Sequence, residues 1–182
     1  ICNVKTAGEW AIEVDPETVD RAAIVELVEL GFSRFSFGVQ DLDAKVNDAI
    51  GRKNRNLHVA LLTEQLRVLG VSQVNYDLIY GLPYQDLRSI EWTIEQVISM
   101  RPSRIALYGY AHVPWIKKHQ RGLEKHGLPD PTERMDLQLH ARELLIARGY
   151  VSLGMDHFAL PADPLARAFR EGRMKRTFMG YT

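Results

Sequence analysis

Strand patterns and helix patterns alternate along this chain, and that order limits the folds it can adopt. Glycine ends the predicted helices at the joins Leu30-Gly31, Leu69-Gly70 and Arg148-Gly149. Such alternation favours parallel strands joined by helical crossovers. Predicted strands start roughly 24 to 46 residues apart, about the size of successive barrel units. Because no Gly-x-Gly-x-x-Gly motif supports a doubly wound open sheet, the sequence predicts an α/β fold, a partial (β/α) TIM-like barrel of parallel strands.

The predicted elements rest on hydrophobic periodicity and on stop and start residues. Strands are predicted at residues 10–14, 34–39, 74–80, 104–108 and 150–153. Helices are predicted at residues 16–30, 43–50, 59–69, 87–101, 131–148 and 164–171. The first helix is expected to begin at Asp15-Pro16, and Asp130-Pro131-Thr132-Glu133 resembles a capping box. The basic segment from Trp115 to Leu128 is assigned to a helix or a lid.

The stretch Asn75-Tyr76-Asp77-Leu78-Ile79-Tyr80-Gly81-Leu82-Pro83 is the most informative one for function. It is typical of a strand that is apolar on both faces, yet it contains one acid, Asp77. An unpaired buried carboxylate is costly. Gly81 and Pro83 end the strand, so Asp77 lies near its carboxyl end, where sites in parallel α/β folds gather. The alternative is an acid tied to a neighbouring basic side chain or backbone amide.

Polar residues follow every predicted strand, which predicts one shared pocket at the carboxyl ends. In chain order they are Glu13 and Asp15, Gln40 and Asp41, Asp77, Tyr110 and His112, and Asp156 and His157. Asp15 and Asp41 are also explained as helix caps, whereas Glu13 precedes the first cap by two residues and has no such role.

Other candidates have simpler interpretations. Arg52 lies in the cluster Arg52-Lys53-Asn54-Arg55, which by itself is typical of solvated surface. His112 and His157 lie in loops and are assigned only to the pocket lining. The remaining histidines are interpreted as exposed: His58, His119, His126 and His140. Two histidines and an acid could bind a metal, but no His-x-His or His-Glu-x-x-His spacing supports this. No serine or cysteine nucleophile motif and no phosphate loop occurs.

Charge and cysteine content exclude several classes of protein. The 23 Lys and Arg residues match the 23 Asp and Glu residues, so net charge attracts neither nucleic acid nor an acidic membrane. No apolar run approaches a membrane span and no signal peptide opens the chain. The single cysteine, Cys2, excludes an internal disulfide and predicts a cytoplasmic location. The start at Ile1, without methionine, suggests a piece of a longer polypeptide.

Three motifs together resemble the coproporphyrinogen dehydrogenase branch of the radical S-adenosylmethionine enzymes, the oxygen-independent coproporphyrinogen III oxidases. They are Ile12-Glu13-Val14-Asp15-Pro16, Gly38-Val39-Gln40-Asp41 and Asp77-Leu78-Ile79-Tyr80-Gly81-Leu82-Pro83. Haem chaperones related to these enzymes share the three motifs. Later stretches resemble the oxidase instead: Tyr110-Ala111-His112-Val113-Pro114, Gly154-Met155-Asp156-His157-Phe158-Ala159 and Phe178-Met179-Gly180-Tyr181-Thr182.

The resemblance implies a partial (β/α)6 barrel, a [4Fe-4S] cluster and two S-adenosylmethionine sites. Carried over by motif, Glu13 would contact the S-adenosylmethionine on the cluster. The second site would be lined by Gln40, Arg52, Asp77 and Ala111, and the Ala111 contact would have to be made by its backbone. The implied reaction is oxidative decarboxylation of two propionates of coproporphyrinogen III to vinyls, which gives protoporphyrinogen IX in haem biosynthesis. The electron donor is left open.

The sequence departs from the family because the Cys-x-x-x-Cys-x-x-Cys loop that ligates the cluster is absent. Residues 1–182 are therefore expected to be part of a radical S-adenosylmethionine core domain, with the cluster-binding part before Ile1 and a further domain after Thr182. This piece alone is predicted to be inactive and to bind no stable cluster. Two alternatives stay open: a haem chaperone, and an inactive half-barrel whose exposed sheet edges drive self-association.

Overall fold

A six-stranded sheet forms the centre of the computed structural model, which describes residues 8–53, 56–177 and 180–181. Its strands are β1 (Ala11–Val14), β2 (Arg34–Gln40), β3 (Gln73–Tyr80), β4 (Arg104–Gly109), β5 (Val151–Gly154) and β6 (His157–Ala159). The spatial order is β1-β2-β3-β4-β6-β5. Strands β1 to β4 are parallel, as predicted. Two short strands, β7 (Arg176–Thr177) and β8 (Gly180–Tyr181), pair separately.

Helices connect the parallel strands. They are α1 (Arg21–Glu29), α2 (Ala44–Ala49), α3 (Asn56–Val68), α4 (Leu87–Met100), α5 (Arg121–Glu124), α6 (Pro131–Ala147) and α7 (Pro164–Arg170), with a 3-10 turn at Lys118–Gln120. The segment from Trp115 to Leu128 is therefore partly helical, since the 3-10 turn runs directly into α5 and turns or loops flank them. Among the described residues, no helix combines the length and apolar character needed to cross a bilayer. Cys2 lies outside the described residues.

Helix starts were predicted well at one site and wrongly at another. At α6 the predicted capping box is confirmed, since Glu133 N–H donates to Asp130 Oδ1 (2.9 Å) and Asp130 N–H donates to Glu133 Oε2 (2.8 Å). The start at Asp15-Pro16 was wrong: the backbone turns there, and Thr18 N–H donates to the Asp15 carbonyl (3.0 Å). Helix α1 begins only at Arg21, capped by Asp20.

The helices cover one face of the sheet and build the core there. Alternate residues of each strand point to this face, among them Phe37, Tyr76, Leu78 and Phe158, and all four are buried in one cluster with apolar residues of the helices. The Tyr76 hydroxyl lies 2.5 Å from Thr63 Oγ1 of α3, and burial raises the Tyr76 pKa to about 12. Because the side chains on this face are closely packed against the helices, the strands and their ends are held in fixed positions.

The opposite face of the sheet is open. In β3 the side chains alternate between buried and half-buried, so the prediction of a strand enclosed on both faces was wrong. Strand register aligns Glu13 with Ser36, Ser36 with Asn75, and Gly38 with Asp77 across the open face. A polar face of this kind is compatible with the inside of a partial barrel.

The fifth predicted strand is present as β5, but a further strand that was not predicted, β6, follows it and pairs between β4 and β5. Strand β6 runs antiparallel to both β4 and β5, and the chain turns at Gly154 and Met155, which have φ values of 100° and 48°. Since β4 and β5 both oppose β6, they run in the same direction. The turn therefore places Asp156 at the carboxyl edge of the sheet after all, where its carbonyl accepts the Leu107 N–H (2.7 Å).

Candidate functional site at the carboxyl edge of the sheet

Two side chains meet over Gly38 at the end of β2. A β-bulge separates Gly38 from Gln40, and Gln40 takes a left-handed backbone conformation with φ of 65°. A Cβ atom on Gly38 would lie only 2.9 Å from Gln40 Nε2 and 4.0 Å from Arg52 Nη2. The bulge thus folds the Gln40 amide back over the sheet, and the missing Gly38 side chain leaves room for it.

Arg52 is held in place by groups that leave part of its guanidinium available. Its Nη1 donates to the Gly38 carbonyl (2.8 Å) and lies 3.5 Å from Asp15 Oδ1. Asp15, predicted as a helix cap, accepts the Glu17 N–H (3.0 Å) and helps to orient Arg52 instead. Two donor groups, an amide and a guanidinium, therefore converge at one point, which suits a carboxylate or carbonyl oxygen of a ligand.

Asp77 lies next to this pair, opposite Gly38 in the strand register. Its Oδ2 accepts the Ser36 hydroxyl (2.8 Å) and its Oδ1 accepts the Asn75 amide (2.9 Å). The carboxylate is thus tied to neutral side chains, rather than to the basic side chain or backbone amide considered as an alternative. A carboxylate has about four acceptor positions, so Asp77 can still accept from a ligand.

Acidic side chains surround Tyr108 on the same open face. Burial raises the pKa of Tyr108, and the negative charges of Asp77, Asp156 and Glu13 raise it further, in that order. All three carboxylates are therefore close enough to act on one phenol. Glu13 is exposed, and no hydrogen bond to its carboxylate is found within the described ranges. It is well placed to accept hydrogen bonds from a bound molecule.

Ala111 lies in a short segment that side chains hold from both sides. The Gln120 amide donates to the Ala111 carbonyl (3.0 Å) and accepts the Val113 N–H (2.6 Å). One residue earlier, Arg134 Nη2 donates to the Tyr110 carbonyl (2.6 Å). No local pattern indicates Gln120 or Arg134, because both side chains bind backbone groups that are distant in the sequence. Ala111 can offer a ligand its own N–H, since its carbonyl is already occupied.

The two candidate histidines lie near this edge. His112 Nδ1 is 3.3 Å from the Tyr110 hydroxyl, and its Nε2 is 3.1 Å from Glu124 Oε1. The His157 ring packs edge-on against Tyr108, with ring centroids 5.9 Å apart. Within the described residues, no three His, Cys, Asp or Glu side chains gather to hold a metal ion.

Several expectations about single residues need correction. Asp41 does not cap α2; Asp43 does, by accepting from Lys45 and Val46 N–H groups. Of the four histidines expected to be exposed, His119 is exposed, whereas the other three are half-buried with partners. Those partners are Val19 O for His58, Tyr84 for His126 and Glu91 for His140.

An open groove of about 560 Å³ begins beside Arg52 and Gln40. Its apolar lining includes Ile50, Ile79, Leu82 and Leu123, and its polar lining includes Gln40, Arg52, Tyr110, His119, Gln120, Lys125 and His126. Glu13, Asp77 and Ala111 are not part of this lining. The structure therefore places two predicted residues, Gln40 and Arg52, in one groove. Asp77 is paired with Gly38 in the strand register and so lies next to these two residues. Glu13 lies on the same open face of the sheet.

Comparisons with known proteins find similar oxidases, although no family model matches the chain. The chain is 42% identical over 175 residues to "Oxygen-independent coproporphyrinogen III oxidase" of Paracoccus denitrificans, covering 96% of the chain and 39% of that protein. The protein of the same name from Pseudomonas aeruginosa is 40% identical over 176 residues, which cover 97% of the chain and 38% of the relative. The chain thus spans about two-fifths of the length of these relatives.

Solved structures give the same result. Coproporphyrinogen III oxidase (HemN) from Escherichia coli, described as a radical SAM enzyme, matches with a TM-score of 0.92 and 38% identity over 96% of this chain and 40% of that one. Archaeal Elp3 from Methanocaldococcus infernus shares the fold alone, with a TM-score of 0.62 and 18% identity over 75% of this chain and 33% of that one. The chain is a homologue of part of these oxidases, which confirms the resemblance seen in the sequence and the predicted partial-barrel fold.

Proposed function

We propose that this chain is the part of an oxygen-independent coproporphyrinogen III oxidase that binds S-adenosylmethionine and lines the substrate pocket. The whole enzyme would convert two propionates of coproporphyrinogen III to vinyl groups. The observation that supports this most is the convergence of the Gln40 amide and the Arg52 guanidinium over Gly38, beside Asp77. The substrate and the class of enzyme come from the names of the relatives, and the conversion of propionate to vinyl is what the sequence resemblance implies. Residues 1–182 would form part of the radical S-adenosylmethionine core domain.

The side chains present fit S-adenosylmethionine well. The guanidinium of Arg52 suits the carboxylate of its methionine part, and the Gln40 amide can donate or accept beside it. The carboxylate of Asp77 suits ribose hydroxyls or an ammonium group of this molecule, which would occupy the second site, and Ala111 can donate its N–H to it. The carboxylate of Glu13 would contact the other S-adenosylmethionine, which supplies the radical chemistry when it is bound at an iron–sulfur cluster.

The same residues do not fit the [4Fe-4S] cluster. Such clusters are held by several cysteine thiolates, and the chain has one cysteine. The cluster ligands would therefore come from the rest of the parent protein, and no step that involves the cluster is assigned to residues of this chain.

The test is made on the full-length protein that contains this chain, reconstituted anaerobically with iron and sulfide. With a chemical reductant in place of the unknown electron donor, we expect S-adenosylmethionine cleavage that depends on coproporphyrinogen III and yields protoporphyrinogen IX. Arg52→Met should lose most of this activity because a ligand carboxylate loses its charged partner. The neighbouring Lys53→Met, in which an exposed cation is removed, should keep it.

The haem chaperone is the functional alternative, and haem titration of the same preparation distinguishes it. Tight haem binding with a Soret shift, without substrate-dependent cleavage of S-adenosylmethionine, would contradict the oxidase proposal. Equal activity of the Arg52→Met and Lys53→Met variants would contradict the site.

We also propose a cytoplasmic location, which the low cysteine content supports. Self-association of residues 1–182 expressed alone is a further proposal, since β1 and β5 are the edge strands of the sheet. Sizing chromatography over a range of concentrations tests it, and a monomer at all concentrations would exclude it.

A further inference from the structure

The groove beside Arg52 has a second wall that the proposed function does not yet use. This wall belongs to the basic segment, residues 115–127, which contributes His119, Lys125 and His126 to the groove lining. Whereas the whole chain has equal numbers of acidic and basic residues, this segment contains four Lys or Arg residues and one acid, Glu124. The acid lies 3.1 Å from His112 Nε2, so its charge is directed toward that ring.

The basic segment is anchored at three places to the loops that follow β3 and β4. Gln120 is almost fully buried and bridges Ala111 and Val113. Glu124 contacts His112. At the far end, the Tyr84 hydroxyl lies 2.8 Å from His126 Nδ1, and Tyr84 N–H donates to the Gly127 carbonyl (3.4 Å). Lys125 therefore lies in a segment that hydrogen bonds hold in place against the loops after β3 and β4.

We infer that Lys125, together with His119, binds a carboxylate of a ligand lying in this groove, across from Arg52. No Asp or Glu contributes to the described lining, cations stand on both walls, and the space between them is apolar at Ile79 and Leu82. An elongated molecule with an apolar body and carboxylates at its ends satisfies all of these features. The lysine ammonium suits this role, because it can reach a carboxylate as a point charge without a fixed geometry.

Two carboxylates are available under the proposed function, on which this inference rests. One is a propionate of the porphyrinogen substrate, and the other is the amino-acid carboxylate of S-adenosylmethionine, which would then contact Lys125 instead of Arg52. Either carboxylate would form the same ion pair with Lys125, so the experiment must compare binding of the two ligands separately.

The experiment measures binding to the full-length protein without turnover. The probes are coproporphyrin III, which carries four carboxylates, its neutral tetramethyl ester, S-adenosylmethionine, and decarboxylated S-adenosylmethionine. Lys125→Met is compared with Lys118→Met, which removes a cation of the same segment outside the groove lining. Lys125→Met should weaken binding of one carboxylate probe about tenfold and leave its carboxylate-free counterpart unchanged. Lys118→Met should change neither.

The pair of probes that responds identifies the source of the carboxylate, and either one supports the site. Equal affinities of wild type and Lys125→Met for both acids would overturn the inference. A loss that is the same for an acid and its carboxylate-free counterpart, or the same in Lys118→Met, would overturn it as well. Because these titrations require no reaction, an inactive enzyme would contradict the proposed function while leaving this test intact.

Discussion

At the scale of single residues, Gly38 allows the side chains of Gln40 and Arg52 to meet. Its backbone does not require glycine, since it does not have a positive φ, but the Gln40 amide occupies the space where its side chain would lie. The absence of a side chain at Gly38 therefore leaves room for two neighbours, Gln40 and Arg52.

Replacing Gly38 by alanine should displace the Gln40 amide. We expect S-adenosylmethionine binding by the full-length protein to weaken about tenfold, the effect of losing one or two polar contacts. The melting temperature should change little, because the displaced amide is at the surface of the site. Calorimetric titration and thermal unfolding measure the two effects. Ser72→Ala is the control, because Ser72 is exposed just before β3, at the other end of the strand from the site; equal binding losses in both variants would contradict the argument.

Asp41 shows a different use of an acid, as a buried structural group. Its carboxylate is 1% exposed and accepts from Asp43 N–H (2.7 Å), Thr93 Oγ1 (2.7 Å) and Gln85 Nε2 (2.5 Å). Burial raises its pKa above 3.8, and the hydrogen bonds oppose that shift without cancelling it.

The raised pKa of Asp41 predicts the sign of a pH effect. The folded protein holds the proton more tightly than the unfolded chain, so this contribution to stability is complete below pH 3.8 and is lost as the pH rises through the folded pKa. The free energy of unfolding of wild type, relative to Asp41→Asn, should therefore fall over that window. Urea denaturation at a series of pH values measures it. A wild type that gains stability relative to the variant would show that the hydrogen bonds outweigh burial.

At the scale of elements, the capping box of α6 is a local feature with a measurable effect. Asp130→Ala removes the acceptor for the Thr132 and Glu133 N–H groups and should lower the free energy of unfolding by about 1 kcal/mol. Asp136→Ala, on the exposed side of the same helix, should cost nothing, because alanine favours helix. Denaturant unfolding distinguishes them, and equal stabilities would mean that packing alone holds the helix end.

Local signals explain which elements the sequence could predict. The helix stops at Gly70 and Gly149 and the Asp130 cap depend on neighbouring residues, so pattern reading suffices. The β5–β6 hairpin depends on pairing of β6 with β4, more than forty residues earlier by strand register, which no local pattern encodes. At α1 two aspartates compete, and the turn at Asp15 leaves Asp20 as the cap.

The candidate site also contains residues that local patterns predict and residues that they do not. Glu13, Gln40 and Asp77 belong to predicted strand ends, and parallel strands bring those ends to one edge of the sheet. Gln120 and Arg134 reach that edge from elsewhere and bind backbone carbonyls. Their role depends on tertiary distances, so neither spacing nor composition indicates it.

At the scale of the whole molecule, residues 1–182 contain the groove and the fold that supports it but not the thiolates for a cluster. Anaerobic reconstitution of this chain alone with iron and sulfide should therefore give no stoichiometric cluster absorbance, because a lone cysteine cannot replace a set of ligands. The full-length protein, treated identically, is the control. A complete cluster spectrum from residues 1–182 would show that the ligands were misidentified.

The alternation of side chains along β3 has a consequence for how such a protein can change. Residues 74, 76 and 78 face the helices, and residues 75, 77 and 79 face the open side. The even positions therefore pack the core, whereas the odd positions would face a ligand under the proposed function. Substitutions at odd positions would then change ligand preference while leaving the packing of the core intact.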